Sequence, residues 1–174
     1  MAFASSSVVA ATASASSCIT DTKKHDVFIS FRGEDTRSNF TSHLHAALCR
    51  NNIETYIDYR INKGEEVWGQ LVEAIKDSTL FLVIFSENYA SSTWCLNELI
   101  EIFECKKNGE PHVIPVFYRI DPSQVRKQTG SYKEAFAKHR QNEEKVYLWK
   151  DVLCEVAYLS GFHSDLYRFY FIFF

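Results

Sequence analysis

Trp94 and Glu98 are the two residues of the stretch SSTWCLNELI (91–100) whose types and spacing could do chemistry. The core-facing stripe of this predicted helix comprises Leu96, Leu99, Ile100 and Phe103, after the N-cap candidates Ser91, Ser92 and Thr93. At about 100° per residue, Glu98 falls beside Trp94 and both lie off the core face. A carboxylate can stabilise positive charge, and an indole can contact a flat ligand. Spacing alone favours a solvated glutamate and a tryptophan that packs at the rim.

Two arginines, Arg32 and Arg37, flank a Gly–Glu–Asp turn after an apolar run. Guanidinium groups bind phosphate oxygens bidentately, so this pair suits a pyrophosphate. Gly33 permits close approach of the backbone to a ligand. The alternative is a charged surface loop in which Asp35 pairs with Arg37.

Apolar runs alternate with amphipathic stretches along the chain. Four runs are predicted strands: 26–31, 53–58, 80–86 and 112–118. Three stretches are predicted helices: 40–52, 65–78 and the helix that follows residues 91–93. This alternation predicts βαβ units in an open, doubly wound parallel α/β sheet, and the continuous run 80–86 predicts its central strand.

Ligands of such sheets bind where the strands end at their carboxyl edge. That edge collects four predicted loops: 32–37, 59–64, 87–94 and 119–130. Both the arginine pair and the Trp94–Glu98 pair therefore belong to the edge where this architecture places chemistry.

The composition excludes several classes of protein. A chain of 174 residues with 46% hydrophobic and 24% charged residues is typical of one globular domain. A net charge of −3 gives no reason to expect nucleic-acid binding. The five cysteines are irregularly spaced without a CxxC pair, which indicates no metal site and a reducing compartment. The GxGxxG and P-loop motifs are absent, and a phospho-accepting receiver would need aspartate where this chain has Phe85–Ser86.

The two ends of the chain differ from its middle. Residues 1–22 are rich in serine and alanine, and the first charge comes at Asp21, which favours a disordered tail over a secretory signal, with plastid import a weak alternative. Residues 165–174 form an aromatic tail that is too short to span a bilayer. We therefore expect no membrane span.

Four segments carry a specific resemblance to a known family. They are DVFISFRGEDTRSNFTSHLHAAL (26–48), KGEEV (63–67), FSENYASSTWCLNELIEI (85–102) and VIPVFYRIDPSQVRKQTGSYKEAF (113–136). Together they resemble a plant Toll/interleukin-1-receptor (TIR) domain of the disease-resistance type. The resemblance implies a flavodoxin-like fold over residues 23–164, from which the family's last helix is missing here.

The same resemblance implies an activity. Plant TIR domains of this type cleave NAD(P)⁺ at the nicotinamide–ribose bond, which makes NAD(P)⁺ a substrate with no further cofactor or metal. Glu98 matches the catalytic glutamate of the family's W-C-L-x-E-L segment. The residues that the resemblance places at the substrate are Phe31, Arg32, Gly33, Arg37, Ile57, Ser92, Trp94 and Cys95. Phe31 could equally be a core residue, and Cys95 a half-buried structural thiol.

The resemblance also implies assembly with other TIR domains. Lys63, Gly64, Glu65 and Glu66 match the BB loop, a segment beside the pocket that also contacts partner domains. The Ser42–His43 pair matches the family's symmetric contact on its first helix. The expected function is an NAD⁺ nucleosidase in plant immune signalling, in the cytoplasm or nucleus. The alternative is a non-catalytic adaptor or decoy that binds fuller TIR receptors.

Overall fold

Parallel β-strands alternate with helices throughout the computed structural model, which describes residues 23–58, 65–107, 112–139 and 143–164. The strands are β1 (His25–Phe31), β2 (Thr55–Ile57), β3 (Ser78–Phe85), β4 (His112–Phe117) and β5 (Phe162–His163). The α-helices are α1 (Gly33–Thr36), α2 (Ser42–Arg50), α3 (Glu65–Lys76), α4 (Thr93–Lys107), α5 (Pro122–Lys127), α6 (Ser131–Lys138) and α7 (Glu143–Ala157). A π-helical turn (Arg37–Thr41) joins α1 to α2, and a 3₁₀ turn (Tyr89–Ser91) precedes α4.

The sheet has the strand order β2-β1-β3-β4-β5, and every pairing is parallel. This is the order of flavodoxin-like sheets, so the predicted fold class is confirmed. The prediction that residues 80–86 supply the central strand is also confirmed, because β3 lies between β1 and β4. The two-residue strand β5 was not predicted, because periodicity needs a longer segment to be visible.

Both faces of the sheet are covered, as the continuous apolar runs predicted. On one face, Ile29 and Phe31 of β1 pack with Leu44 and Leu48 of α2. On the other face a larger cluster joins β1, β3 and β4 to the five helices α3 to α7; its most buried members include Phe28, Phe81, Leu71, Leu96, Tyr132 and Leu153. Alternate residues of β1 therefore belong to opposite layers, as the period of two requires.

Several predicted boundaries differ from those of the structure. Residues 32–37, predicted as a loop, contain the helical turn α1, and the predicted loop 119–130 contains α5. Asp121 caps α5 by accepting a hydrogen bond from the amide of Ser123, with Pro122 at the first helical position. The helix predicted over 40–52 begins only at Ser42, because the π-helical turn occupies the residues before it.

No helix in the described part of the chain is both long and apolar enough to cross a membrane. Among these same residues, no three histidine, cysteine, aspartate or glutamate side chains are grouped so that they could hold a metal ion. The predicted tails, 1–22 and 165–174, lie outside the described residues.

Candidate functional site

A cleft opens at the carboxyl edge of the sheet, where β1 and β2 end beside the first turns of α4. The cleft has a volume of about 330 Å³, which includes solvent space at its open mouth. The lining residues come from four segments of the chain: Ile29, Phe31, Gly33, Arg37, Asp58, Trp94 and Glu98. The carboxyl edge therefore brings the arginine turn and the Trp94–Glu98 helix together, as the topology predicted.

Glu98 is buried, with 5% of its surface exposed. The expectation that it lies off the core face, on the solvated side of the helix, is wrong. The reason is that α4 packs against α3, α7 and the end of β1, so the side of the helix opposite the predicted stripe is also covered. Ile100, predicted to face the core, is only half-buried, whereas Ile102 is fully buried. A carboxylate held away from bulk water interacts strongly with any charge that enters the cleft.

The start of α4 is fixed by Ser92. Its side-chain oxygen accepts a hydrogen bond from the amide of Cys95 at 3.3 Å, the bond that an N-cap serine makes. Two residues after Ser92, the half-buried Trp94 ring packs edge-on against Trp68 of α3, with ring centroids 5.0 Å apart and planes at 86°. The cap sets where α4 begins, and the Trp68 contact fixes the orientation of the Trp94 ring at the cleft.

Arg37 lines the cleft together with the acidic residues Asp58 and Glu98. Its Nε is buried and has no hydrogen-bond partner within the described residues. The guanidinium lies over Gly33, where an added Cβ would come within 2.6 Å of Nη2. Arg37 opens the π-helical turn, a conformation that is frequent at functional sites.

Arg32 also has a buried Nε without a hydrogen-bond partner in the described part of the chain, but its surroundings differ from those of Arg37. It forms ion pairs with Glu34 and, at 3.8 Å from Nε to Oδ1, with Asp35, and it does not line the cleft. The alternative in which Asp35 pairs with Arg37 is not what the structure has, because the carboxylate of Asp35 faces Arg32 and the residue-86 turn. The geometry favours Arg37 over Arg32 as the group that meets an anion in the cleft.

A buried hydrogen-bond network lies behind the cleft and joins β1 to α4. The Tyr89 hydroxyl, fully buried, donates to the carbonyl of Cys95 at 3.2 Å and lies 2.8 Å from the Ser30 hydroxyl. The Cys95 thiol in turn donates to the carbonyl of Phe31 at 3.6 Å. Burial raises the pKa of the Tyr89 phenol well above its ordinary value, and the neighbouring Cys95 and Glu98 raise it further. Cys95 is thus a buried structural thiol behind the cleft, and it does not line it.

The remaining predicted residues belong to β2, to α2 and to the predicted BB loop. Ile57 is half-buried and pairs with Ile29 in the sheet, one residue before the cleft-lining Asp58. Ser42 and His43 are on the first turn of α2, where the Ser42 hydroxyl donates to the carbonyl of Asn39 at 2.9 Å and His43 is exposed. In the predicted BB loop, Lys63 and Gly64 lie outside the described residues, as do the side chains of Glu65 and Glu66 at the start of α3.

Asp58 and Ile29 line the cleft but were not predicted as site residues. Asp58 follows β2 directly, so its place at a strand's carboxyl end was a signal that could have identified it. Ile29 was predicted only as part of a buried strand, and a core residue that also borders a cleft has no distinct signature in a sequence.

The model of the TIR domain family matches residues 24–169 of this chain. The chain belongs to the TIR domain family. This TIR domain is 49% identical, over 159 residues, to the disease resistance protein RPV1 of Vitis rotundifolia, a match that covers 91% of the chain and 11% of that relative. It is 46% identical to the TMV resistance protein N of Nicotiana glutinosa, with 84% of the chain and 13% of that relative covered. The chain therefore spans a small part of the curated relatives it matches.

A solved structure agrees with this assignment. The TIR domains in the structure of the activated Roq1 resistosome superpose on this chain with a TM-score of 0.75 and 45% identity. The superposition covers 81% of this chain and 88% of that one. This TIR domain is thus homologous to the TIR domains of plant resistance proteins in both sequence and fold.

Proposed function

We propose that this TIR domain cleaves the nicotinamide–ribose bond of NAD⁺ or NADP⁺ and thereby signals in plant immunity. One observation supports the proposal above the others: the buried carboxylate of Glu98 shares a small cleft with Arg37 and Trp94. These are an anionic group, a cationic group and an aromatic ring, and each suits a different part of a nicotinamide dinucleotide.

Glu98 stabilises the positive charge that develops as the bond breaks. When the C1′–N bond of NAD⁺ breaks, the electron pair stays on the nicotinamide nitrogen and the ribose becomes oxocarbenium-like. Nicotinamide leaves as a neutral molecule, so no strong general acid is required. Water then adds to C1′ and releases a proton to solvent, which completes the hydrolysis. The buried position of Glu98 strengthens its interaction with the cationic ribose.

Arg37 and Trp94 hold the substrate for this step. The Arg37 guanidinium binds the pyrophosphate, because it lines the cleft and its buried Nε has no partner among the described residues. Gly33 leaves space for the guanidinium directly above its Cα. The Trp94 ring contacts the ligand with the part that does not pack on Trp68.

Self-association with the same or other TIR domains promotes this activity in our proposal. The exposed His43 and its neighbour Ser42 on α2 supply the contact that the family resemblance implies. The Roq1 relative supports such assembly, since its TIR domains belong to a resistosome. We place the activity in the cytoplasm or nucleus.

The proposed reaction is tested by incubating the purified chain with NAD⁺ or NADP⁺ and measuring nicotinamide release, with and without a crowding agent that promotes assembly. Glu98→Gln is the test variant, because it keeps the side-chain shape. Glu101→Gln is the matched control, since Glu101 is half-buried on the same helix but does not line the cleft. Release by the wild type and the control but not by Glu98→Gln supports the proposal. No release from the wild type under either condition overturns it.

A non-catalytic adaptor is the second candidate function. It is favoured by the exposure of large apolar side chains on α7 and near β5: Tyr147 (75%), Tyr158 (70%) and Phe162 (51%). In this second function, these side chains contact the partner protein. An adaptor signals without a carboxylate in the cleft, so Glu98→Gln in a leaf cell-death assay separates the two functions. Retained signalling favours the adaptor, and lost signalling favours the enzyme.

A further inference from the structure

The turn of residues 86–91, from the end of β3 to the start of α4, is fixed to the protein body on one side. Three side chains on or next to α6 bond its carbonyl groups: Ser131 to Glu87 at 2.7 Å, Tyr132 to Ser86 at 3.0 Å and His139 to Ala90 at 2.9 Å. Within the turn, the Tyr89 side chain is fully buried. This turn is therefore a rigid frame, and Glu98 belongs to the helix that starts from it.

Asp35 of α1 contacts the same turn. Its Oδ2 accepts hydrogen bonds from the Ser86 hydroxyl at 2.6 Å and from the Asn88 backbone amide at 3.0 Å. Its Oδ1 accepts a third from the Asn88 side-chain amide at 3.3 Å. Asp35 lies in α1, two residues before Arg37, so one carboxylate joins the arginine-bearing turn to the frame.

We propose that Asp35 is a positioning residue that sets where Arg37 stands relative to Glu98. This inference rests on the proposed function, because it assigns Arg37 to the substrate's pyrophosphate. The frame is held by three hydrogen bonds from residues on or next to α6, whereas α1 is a single helical turn. Loss of the Asp35 hydrogen bonds therefore moves α1, with Gly33 and the following Arg37, rather than the turn of residues 86–91.

The contact between residue 35 and the turn of residues 86–91 requires a carboxylate. The three donors of Ser86 and Asn88 reach both oxygens of Asp35, and Arg32 adds a cation at 3.8 Å. An asparagine has one acceptor oxygen, so its amide group would face either the Asn88 side-chain amide or the other two donors. Asp35→Asn should therefore retain part of this positioning of α1, and Asp35→Ala none of it.

The kinetic test is a double-mutant cycle between Asp35→Ala and Arg37→Ala, read as the KM for NAD⁺. Phosphate contacts are similar in the ground and transition states, so misplacing Arg37 changes KM more than kcat. We expect Asp35→Ala to raise KM by about tenfold in the wild-type background and by less than about twofold once Arg37 is absent. An equal rise in both backgrounds would show a general structural role and overturn the proposal. Asp35→Asn should give an intermediate KM.

Glu34→Ala is the matched control for loss of a carboxylate, because Glu34 is the preceding residue and its side chain is 81% exposed. It should leave KM within about twofold of wild type. A rise in KM equal to that of Asp35→Ala would mean that local charge governs substrate binding, rather than the hydrogen bonds from Asp35 to the turn of residues 86–91. The proposal would then fail.

A second measurement does not depend on activity. In the wild type the Asn88 amide donates a hydrogen bond to Asp35, so we expect its hydrogen exchange to be slowed. Asp35→Ala should speed exchange at Asn88 and across residues 33–37 by more than about tenfold, while the amide of Leu96 inside α4 changes little. If the wild type cleaves no NAD⁺, the proposed function fails and this exchange pattern alone decides the inference. Unchanged exchange at residues 33–37 would refute it.

Discussion

The guanidinium of Arg37 lies over the α-carbon of Gly33, so close that an added methyl group would come within 2.6 Å of Nη2. A glycine is therefore needed at position 33, because the side chain of Arg37 lies where a Cβ would be. Because the contact is with the far end of a flexible side chain, Gly33→Ala displaces Arg37 rather than disrupting the fold. We expect a rise in KM for NAD⁺ of about fivefold, with kcat and Tm nearly unchanged.

Gly69→Ala is the control for this glycine substitution. Nothing lies within 4 Å of a Cβ at position 69, which is an exposed position within α3. This variant should gain roughly 0.5–1 kcal/mol in free energy of unfolding, since alanine favours helix, and keep the wild-type KM. Steady-state kinetics and chemical denaturation of both variants check the pair. A normal KM in Gly33→Ala would show that the place of Arg37 does not govern binding.

Glu98→Gln should lower the rate of NAD⁺ cleavage by roughly 10²–10³-fold, because it removes the charge that faces the developing cation. Glutamine fills the same buried space, so the free energy of unfolding should change by less than about 1.5 kcal/mol. Glu98→Ala is less informative, since truncating a side chain that is 5% exposed also leaves a cavity. Nicotinamide release under saturating NAD⁺, with denaturation curves alongside, measures both effects. Wild-type turnover in a folded Glu98→Gln variant would end the catalytic assignment.

The two arginines should respond differently to substitution. Arg37→Ala should raise KM by about tenfold at similar kcat, because Arg37 lines the cleft and, in the proposed function, binds phosphate already in the ground state. Arg32→Ala should raise KM by less than about threefold, since Arg32 forms ion pairs with Glu34 and Asp35 outside the cleft lining. Initial rates over a range of NAD⁺ concentrations distinguish the two variants. The reverse order of effects would assign the phosphate contact to Arg32.

His43→Ala tests the role of assembly. We expect the contact through His43 to be a small interface, and interfaces that bury less than about 1,200 Å² in total are transient. The chain should therefore be a monomer at micromolar concentration, with a specific activity that rises with protein concentration. Because His43 is exposed on α2, its substitution should lower this concentration-dependent part without altering the cleft. A dilution series of activity, paired with light scattering, provides the measurement. Constant specific activity in a confirmed monomer would show that assembly is not needed, and a stable dimer insensitive to His43→Ala would indicate another interface.

Tyr89→Phe should change how stability depends on alkaline pH. Burial raises the pKa of Tyr89 in the folded state above its ordinary value of 10.0. Below about pH 10 the phenol is protonated in both states and its contribution to stability is complete. Above that pH the unfolded chain loses the proton first, so the wild-type free energy of unfolding falls as pH rises.

Phenylalanine removes this titration, so the alkaline fall in Tyr89→Phe should be shallower by up to about 1.4 kcal/mol per pH unit. Part of the fall remains, because burial also raises the pKa of Tyr132. At neutral pH the variant should be about 1–3 kcal/mol less stable, since Ser30 and the Cys95 carbonyl lose their shared partner. Denaturant titrations between pH 7 and 11 measure both effects. Identical slopes for the two proteins would contradict the assignment of this titration to Tyr89.

The sequence by itself determined the sheet and the edge at which the cleft lies. The continuous apolar run at 80–86 predicted a strand covered on both faces, and the alternation of runs predicted parallel crossovers that bring strand ends to one edge. The helix of Trp94 and Glu98 was also visible, because its cap and its apolar spacing are local. These features depend on short-range periodicity and turn chemistry, which a sequence displays directly.

Only the tertiary structure decided which side chains at that edge are buried, paired or exposed to the cleft. Glu98 is buried because α4 packs against the end of β1, α3 and α7. Arg32 is paired with acidic neighbours, whereas Arg37 faces the cleft, although the two looked equivalent in sequence. Asp35 holds a turn more than fifty residues away. Each of these outcomes depends on partners that are distant along the chain, and the free energies of such contacts leave no periodic pattern in the sequence.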